Sequence, residues 1–245
     1  MTIINNFNIE NNSIFSSTLC IIGSGMSAQV LASKLNNKKI IMIDSGKIKY
    51  DNKIQTLNDI DQKGIQFREN HMNRIRQLGG SANLWANQLM ILKKHDVEKR
   101  DWVAKDFSWP FNYDELKLYY EEVIKTIYND NFKNLNYFNP IEEDNRNFFL
   151  ENEFLNTNMF EFNNHFWPSK VEKFNIDSKF TKKIIHSKNL KFFENFTATE
   201  IKINDETQTI ENIKIQSGDK ICVIKANYFV LACGTIENAR SAKAS

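Results

Sequence analysis

Glycine, proline, cysteine and histidine are all scarce in this chain. Of 245 residues, eight are glycine, three proline, three cysteine and four histidine. The cysteines (Cys20, Cys222 and Cys233) are odd in number, and none belongs to a C-x-x-C pair or a Cys/His cluster. They lie in or beside apolar strands. That reads as buried free thiols of a reducing, cytoplasmic compartment, and it argues against a disulfide framework or a metal site. Charge of one sign is also missing. Lys and Arg number 32 against 30 Asp and Glu, and no basic run interleaves with aromatics, so a nucleic-acid footprint is not expected. No window approaches ~18 continuous apolar residues, so no membrane span is expected. The opening MTIINNFNIENNSIF lacks the basic start and long apolar core of a signal peptide. What remains, 41% hydrophobic and 25% charged, is the composition of a soluble globular chain.

The few glycines are placed with purpose. Thr18 to Ile22 reads as a short buried strand, followed by Gly23-Ser24-Gly25-Met26-Ser27-Ala28, the G-x-G-x-x-A form of the dinucleotide fingerprint. Ala28, Leu31, Ala32 and Leu35 then recur at helical spacing. Lys39 to Ile43 is a second apolar strand, and Asp44 stands at its end. Strand, glycine turn, helix, strand and acid make a βαβ phosphate-binding unit in the required order. Gly23 turns the chain sharply out of the strand, and Gly25, with no Cβ, lets a pyrophosphate approach the helix N-terminus. Met26 opens the helix, Ala28 lets it pack close to the strand, and Asp44 can accept hydrogen bonds from ribose hydroxyls. The alternative is an α/β turn of the same shape with no ligand.

Further along, residues 1–15 are polar and read as a loose lead-in, and 47–75 as a loop with one short helix. Gly79-Gly80, within Arg76 to Trp85, implies a second backbone turn that side chains would obstruct. Asn112 and Glu115 form a capping box opening a helix to about Tyr128, with Leu116, Tyr119, Tyr120, Val123, Ile124 and Ile127 as its apolar stripe. Residues 129–175 carry no clear pattern. All three prolines (Pro110, Pro140 and Pro168) fall in this middle block, which suits an irregular insertion. Asp177 caps a helix to about Ser187. Leu190–Phe193 is a short strand. Thr197–Ile203, Thr209–Gln216 and Ile221–Lys225 form a three-stranded β-meander. Tyr228–Ala232 is another buried strand, ending in Cys233-Gly234-Thr235. The fold class is α/β: a Rossmann-like domain of the FAD/NAD(P)-binding kind, with a central parallel sheet, the meander and an inserted helical or irregular segment. The cofactor domain is split into 16–85 and 189–245, with 86–188 inserted.

Four segments taken together, GSGMSA with IMIDSG, RQLGGSANLW, SWPFNYDELKLYYEEV and NYFVLACGTIENAR, resemble the N-terminal half of the glucose–methanol–choline (GMC) flavoprotein oxidoreductases. Six of the eight glycines fall in them. The resemblance implies FAD as cofactor. Gly23, Gly25, Met26 and Ala28 belong to the turn at its pyrophosphate, and Asp44 meets the adenosine ribose. Gly79, Gly80 and Ser81 lie along the flavin-side phosphate and ribitol, Ala198 beside adenine, and Ala232, Cys233 and Gly234 beside the pyrophosphate. Some sugar-oxidising relatives attach FAD through a His just before the Trp of the GG segment. Leu84 stands there here, so non-covalent FAD is expected.

The activity implied is oxidation of a CH–OH group in a small alcohol, sugar or polyol, with hydride passing to the flavin. The family's base, a His with a His or Asn partner, belongs to its second half, as does the substrate sheet. Neither has a counterpart up to Ser245, so the chain alone is expected to be inactive, with its substrate domain largely missing. It should then expose apolar surface that a partner chain or a missing half would cover. His71, His95 and His186 read as surface or structural residues, and His165 only slightly less so. Trp85, Trp102 and Trp109 either wall a flavin pocket or fill a core. Arg76 and Arg240 either face phosphate or make salt bridges. Two alternatives stay open: a non-catalytic FAD-binding remnant, and an NAD(P)-binding enzyme of another fold.

Overall fold

The computed structural model describes residues 1–61, 63–64, 73–84, 92, 94–102, 108–127 and 179–243. His71, Trp85, Pro140, His165, Pro168, Asp177 and the 129–175 block lie outside the described residues. Two compact units divide the chain: Met1–Trp85 with Lys173–Ser245, and Ala86–Glu172.

The first unit is built on one seven-stranded sheet. Its strands are β1 (Thr2–Ile4), β2 (Ser13–Ile22), β3 (Ile40–Asp44), β4 (Leu190–Glu194), β5 (Thr197–Asn204), β6 (Thr209–Ser217) and β7 (Lys220–Leu231), in the order β1-β4-β3-β2-β7-β6-β5. β1, β4, β3, β2 and β7 run parallel. β7–β6–β5 is an antiparallel meander. Its helices are α1 (Met26–Lys34), α2 (Asn52–Gln55), α5 (Lys179–Ile185) and α6 (Thr235–Lys243); the second unit contributes α3 (Lys94–Val97) and α4 (Tyr113–Ile127).

β2 is buried on both faces over Leu19–Ile22, and its alternate residues feed two cores. Leu19 and Ile21 join Ile40, Met42, Leu190 and Phe192 beneath α1, with Ala28 and Ala32 fully buried. α5 lies beside α1, and the hydroxyl of Thr181 donates to Gln29 Oε1 at 2.7 Å. Cys20 and Ile22 join Ile41, Ile43, Phe193 and Phe196 on the opposite face, where Ile213, Ile215 and Ile224 of the meander close over them. Cys20, Cys222 and Cys233 are free thiols, and burial pushes Cys20 and Cys233 up to about 12.

Two expectations need correction. The first fifteen residues are not a loose lead-in: Thr2–Ile4 pairs with β4 at the sheet edge, and β2 already begins at Ser13. The strands expected at 221–225 and 228–232 are one strand of 12 residues, β7. Its first part pairs with β6, and from Cys222 to Leu231 it pairs with β2, starting at Ser13↔Cys222. The meander thus feeds back into the parallel sheet through this one continuous strand.

In the second unit the Asn112 box forms in both directions. Glu115 N donates to Asn112 Oδ1 at 2.9 Å, and Asn112 N to Glu115 Oε2 at 3.0 Å. Leu116 and Tyr120 of the stripe are half-buried, and Tyr119 is exposed.

Candidate functional site

The β2–α1 turn leaves the sheet at Gly23, whose φ of 102° lies in the left-handed region. A Cβ there would stand 2.5 Å from Ala232 O, so this place takes only glycine. Gly25 is different. A Cβ there meets nothing within 4 Å, because it faces open space. Gly25 is also the N-cap of α1 and supplies no side-chain cap, which leaves the first helix N–H groups for an acceptor from outside.

The second glycine turn backs onto the first. Gly79 N donates to Ser24 O at 3.0 Å, and Gly25 and Gly79 form a parallel bridge. A Cβ on Gly80 would come to 3.2 Å from Gly25 Cα. Two turns far apart in sequence are thus pressed into one floor, and neither tolerates side chains between them.

That floor opens onto a cavity of about 710 Å³. Gly23, Gly25 and Met26 line it from the first turn, and Gly79, Gly80 and Ser81 from the second. Asp44, Ala198, Ala232 and Gly234 complete the wall from three further segments. Ala28 does not belong there. It is fully buried beneath α1 in the core, because a residue one turn into the helix has rotated onto the sheet.

Asp44 is part-buried at the cavity wall, with three donors on its carboxylate. Its Oδ2 accepts from Ser24 N at 2.9 Å and from Ser24 Oγ at 2.6 Å, and its Oδ1 accepts from Gly46 N at 2.7 Å. Burial raises its pKa above the ordinary carboxylate value, while these donors and Arg76 pull the other way. Beside it, Glu237 of α6 gathers three arginines. Its Oε1 meets Arg74 Nη1 and Arg76 Nη2, each at 3.0 Å, and its Oε2 meets Arg240 Nη2 at 2.6 Å. Arg76 Nε also donates to Asn58 Oδ1 at 2.8 Å, and its Nη1 to Ser45 Oγ at 2.6 Å. Arg74 Nη2 donates to Asn58 O. Arg76 and Arg240 therefore make salt bridges and also line the cavity.

Ser24, Asn58, Arg74 and Glu237 line the same cavity and were not singled out from the sequence. Glu237 lies inside the GTIENAR segment, the one signal that could have found it. His95 is exposed beside Asp96 at 3.4 Å, His186 is exposed, and neither lines the cavity. Among the described residues, no group of three or more His, Cys, Asp or Glu could hold a metal, and no helix is long and apolar enough to cross a membrane. Trp102 and Trp109 are both exposed. Arg100 stacks on the first, and Phe111 packs against the second.

No protein-family model and no curated protein sequence matches the chain. Solved structures do. Pyridoxine 4-oxidase from Mesorbium loti matches with a TM-score of 0.56 at 16% identity, over 90% of this chain and 50% of its own. Formate oxidase from Aspergillus oryzae RIB40, in which FAD modification has been studied, matches with a TM-score of 0.50 at 14% identity, over 95% of this chain and 47% of its own. The chain thus spans about half the length of the solved structures it matches. It has the α/β fold of about half of each of these two oxidases.

Proposed function

We propose that this chain binds FAD without a covalent link and forms the cofactor-binding part of a GMC-type oxidoreductase acting on CH–OH groups of a small alcohol, sugar or polyol. The observation that carries the proposal is the convergence of two glycine turns and the part-buried Asp44 carboxylate on a single cavity. The turn at Gly25 and the α1 N–H groups suit a pyrophosphate, and Asp44 suits a ribose. Gly79, Gly80 and Ser81 suit the flavin side, Ala198 the adenine side, and Ala232 and Gly234 the pyrophosphate. Ala28 supports the helix from beneath. The cofactor-binding part corresponds to the unit Met1–Trp85 with Lys173–Ser245, and Ala86–Glu172 is the insertion.

When bound, FAD supplies the hydride-accepting centre of such a reaction. The residues assigned here bind and orient; none is assigned as the base. Leu84 offers no nucleophilic nitrogen where some relatives carry the flavin-linked His, which supports dissociable FAD.

The test is to purify the 245-residue chain, add FAD, remove the excess and record absorbance over about 350–500 nm. Flavin bands that pass to the supernatant on acid precipitation support the proposal. Colour retained in the pellet contradicts the non-covalent part. Asp44 would equally suit the ribose of NAD, so tight NAD binding without flavin bands would favour that alternative. Turnover of alcohols or sugars with an artificial acceptor separates an active enzyme from a non-catalytic FAD-binding chain.

A further inference from the structure

We propose that Ser24 is a positioning residue for the ribose of the bound dinucleotide: its buried hydroxyl fixes the Asp44 carboxylate at the cavity wall. This rests on the proposal that the cavity holds such a ligand.

Ser24 occupies the middle of the G-x-G turn and is completely buried. The turn needs a small residue there, and alanine would meet that need, so packing does not ask for the hydroxyl. Ser24 Oγ has one proton, and two acceptors stand within reach: Asp44 Oδ2 at 2.6 Å and Gln77 O at 3.4 Å. The short bond to a carboxylate is the stronger, so the proton goes to Asp44. With Ser24 N on the same oxygen, Oδ2 has both lone pairs occupied; with Gly46 N on the other, Oδ1 keeps one free. The side chain cannot rotate without breaking three bonds.

Among the described residues, the remaining titratable groups named around Asp44 come from four segments. Arg76 attracts it from the 73–79 segment. Cys233, following β7, is held neutral by burial. Glu194 of β4 stands opposite in the β3–β4 register, but its Oε2 accepts from Ile48 N at 3.3 Å. Glu237 of α6 is committed to its three arginines. Among the described residues, Ser24 is the one hydroxyl bonded to the carboxylate.

A ribose hydroxyl donates to an ionised carboxylate, so FAD affinity falls as pH drops through the Asp44 titration. Removing a donor to the charged form raises that titration. The experiment measures FAD binding by flavin fluorescence from acid to neutral pH in the wild-type chain, Ser24→Ala and Asp44→Asn. Ser24→Ala should weaken binding near neutrality by about tenfold and move the acid midpoint upward by about one pH unit. Asp44→Asn should abolish the midpoint. A Ser24→Ala midpoint equal to the wild type overturns the proposal, even if binding is weaker. Should Ser24→Ala fail to fold, Ser24→Cys, a poorer donor, should give an intermediate midpoint; an unmoved one overturns the proposal equally.

A wild-type chain that takes up no FAD at any pH refutes the dinucleotide proposal instead. Ligand-free unfolding then decides the Ser24–Asp44 link alone. The stability gap between wild type and Ser24→Ala should open as pH rises through the Asp44 titration. A gap independent of pH refutes the link.

Discussion

Gly23 and Gly25 stand two residues apart and answer to different constraints. At Gly23 the backbone is left-handed and Ala232 O leaves no room for a Cβ, so Gly23→Ala should destabilise the fold by about 3 kcal/mol or more. At Gly25, φ is −67° and the space is open, so Gly25→Ala should cost under about 1 kcal/mol. It should nonetheless weaken FAD binding at least about tenfold, because its methyl group enters the space reserved for phosphate. Urea unfolding and a flavin titration on the two variants check this. Equal losses of stability would refute the distinction. Asp44 gives a second residue-scale prediction. Its folded pKa is raised, so the folded state keeps the proton to higher pH than the unfolded chain. Its contribution to stability is therefore intact below the ordinary carboxylate range and is lost as pH rises through the folded value. Asn cannot titrate, so ligand-free Asp44→Asn should show a flatter decline from about pH 4 towards neutrality. An unchanged slope would sink the claim. Gly23, Gly25 and Asp44 were legible because the fingerprint is local. Ser24, Asn58 and Arg74 were not, because their importance arises from partners between 16 and 163 residues away.

At the scale of elements, the buried halves of strands were visible and the exposed halves were not. Ser13–Ser17 of β2 holds only two apolar residues, Ile14 and Phe15, between serines, so no apolar run announces it; it becomes strand because β7 runs alongside. Ala226 and Asn227 broke the pattern of β7 in the same way, while the register against β2 is the same on both sides of Asn227, with Ser17↔Ala226 and Leu19↔Tyr228. The Asn112 box was legible because both of its bonds close within three residues. The attachment of α6 was hidden. Asn238 Nδ2 donates to Leu231 O at 3.2 Å, and its Oδ1 accepts from Cys233 N at 3.0 Å, tying the helix to the end of β7. Glu237 then joins that helix to the 74–76 segment through nearly buried ion pairs. Removing the carboxylate leaves Arg74 and Arg76 without their shared counter-charge. Glu237→Ala should therefore cost about 2–3 kcal/mol, at or just below the low end of the range for breaking buried pairs because Arg240 is half exposed. Glu237→Gln, which keeps an acceptor, should lose about half as much. Both are read by chemical denaturation, and a loss within error of zero for Glu237→Ala would show that the cluster is only a surface arrangement.

At the scale of the molecule, the parallel pairing of β2 with β3 follows from the βαβ rule, since α1 carries the chain from one to the other. That much could be read from periodicity. The continuity of the sheet could not, because it depends on β7 serving two partners. β6 accompanies β7 only as far as Ile213↔Ile224. From Lys225 to Leu231, β7 is paired with β2 on one side, and among the described residues no strand pairs with its other side. Phe229, Val230 and Leu231 are only half-buried there, and Tyr228 is 68% exposed. Asn238 occupies the carbonyl of Leu231 and so ends the open edge. An edge of this kind offers free backbone donors and acceptors flanked by apolar side chains, and such edges recruit further strands unless charge or a bulge blocks them. The chain by itself should therefore self-associate, with an elution volume on size exclusion that moves over about a tenfold range of loading. Tyr228→Lys places a charge on the edge without entering the core. It should shift the population towards monomer while leaving FAD binding unchanged, since Tyr228 does not line the cavity. If wild type and Tyr228→Lys both elute as concentration-independent monomers, the edge is already covered and this account of β7 fails.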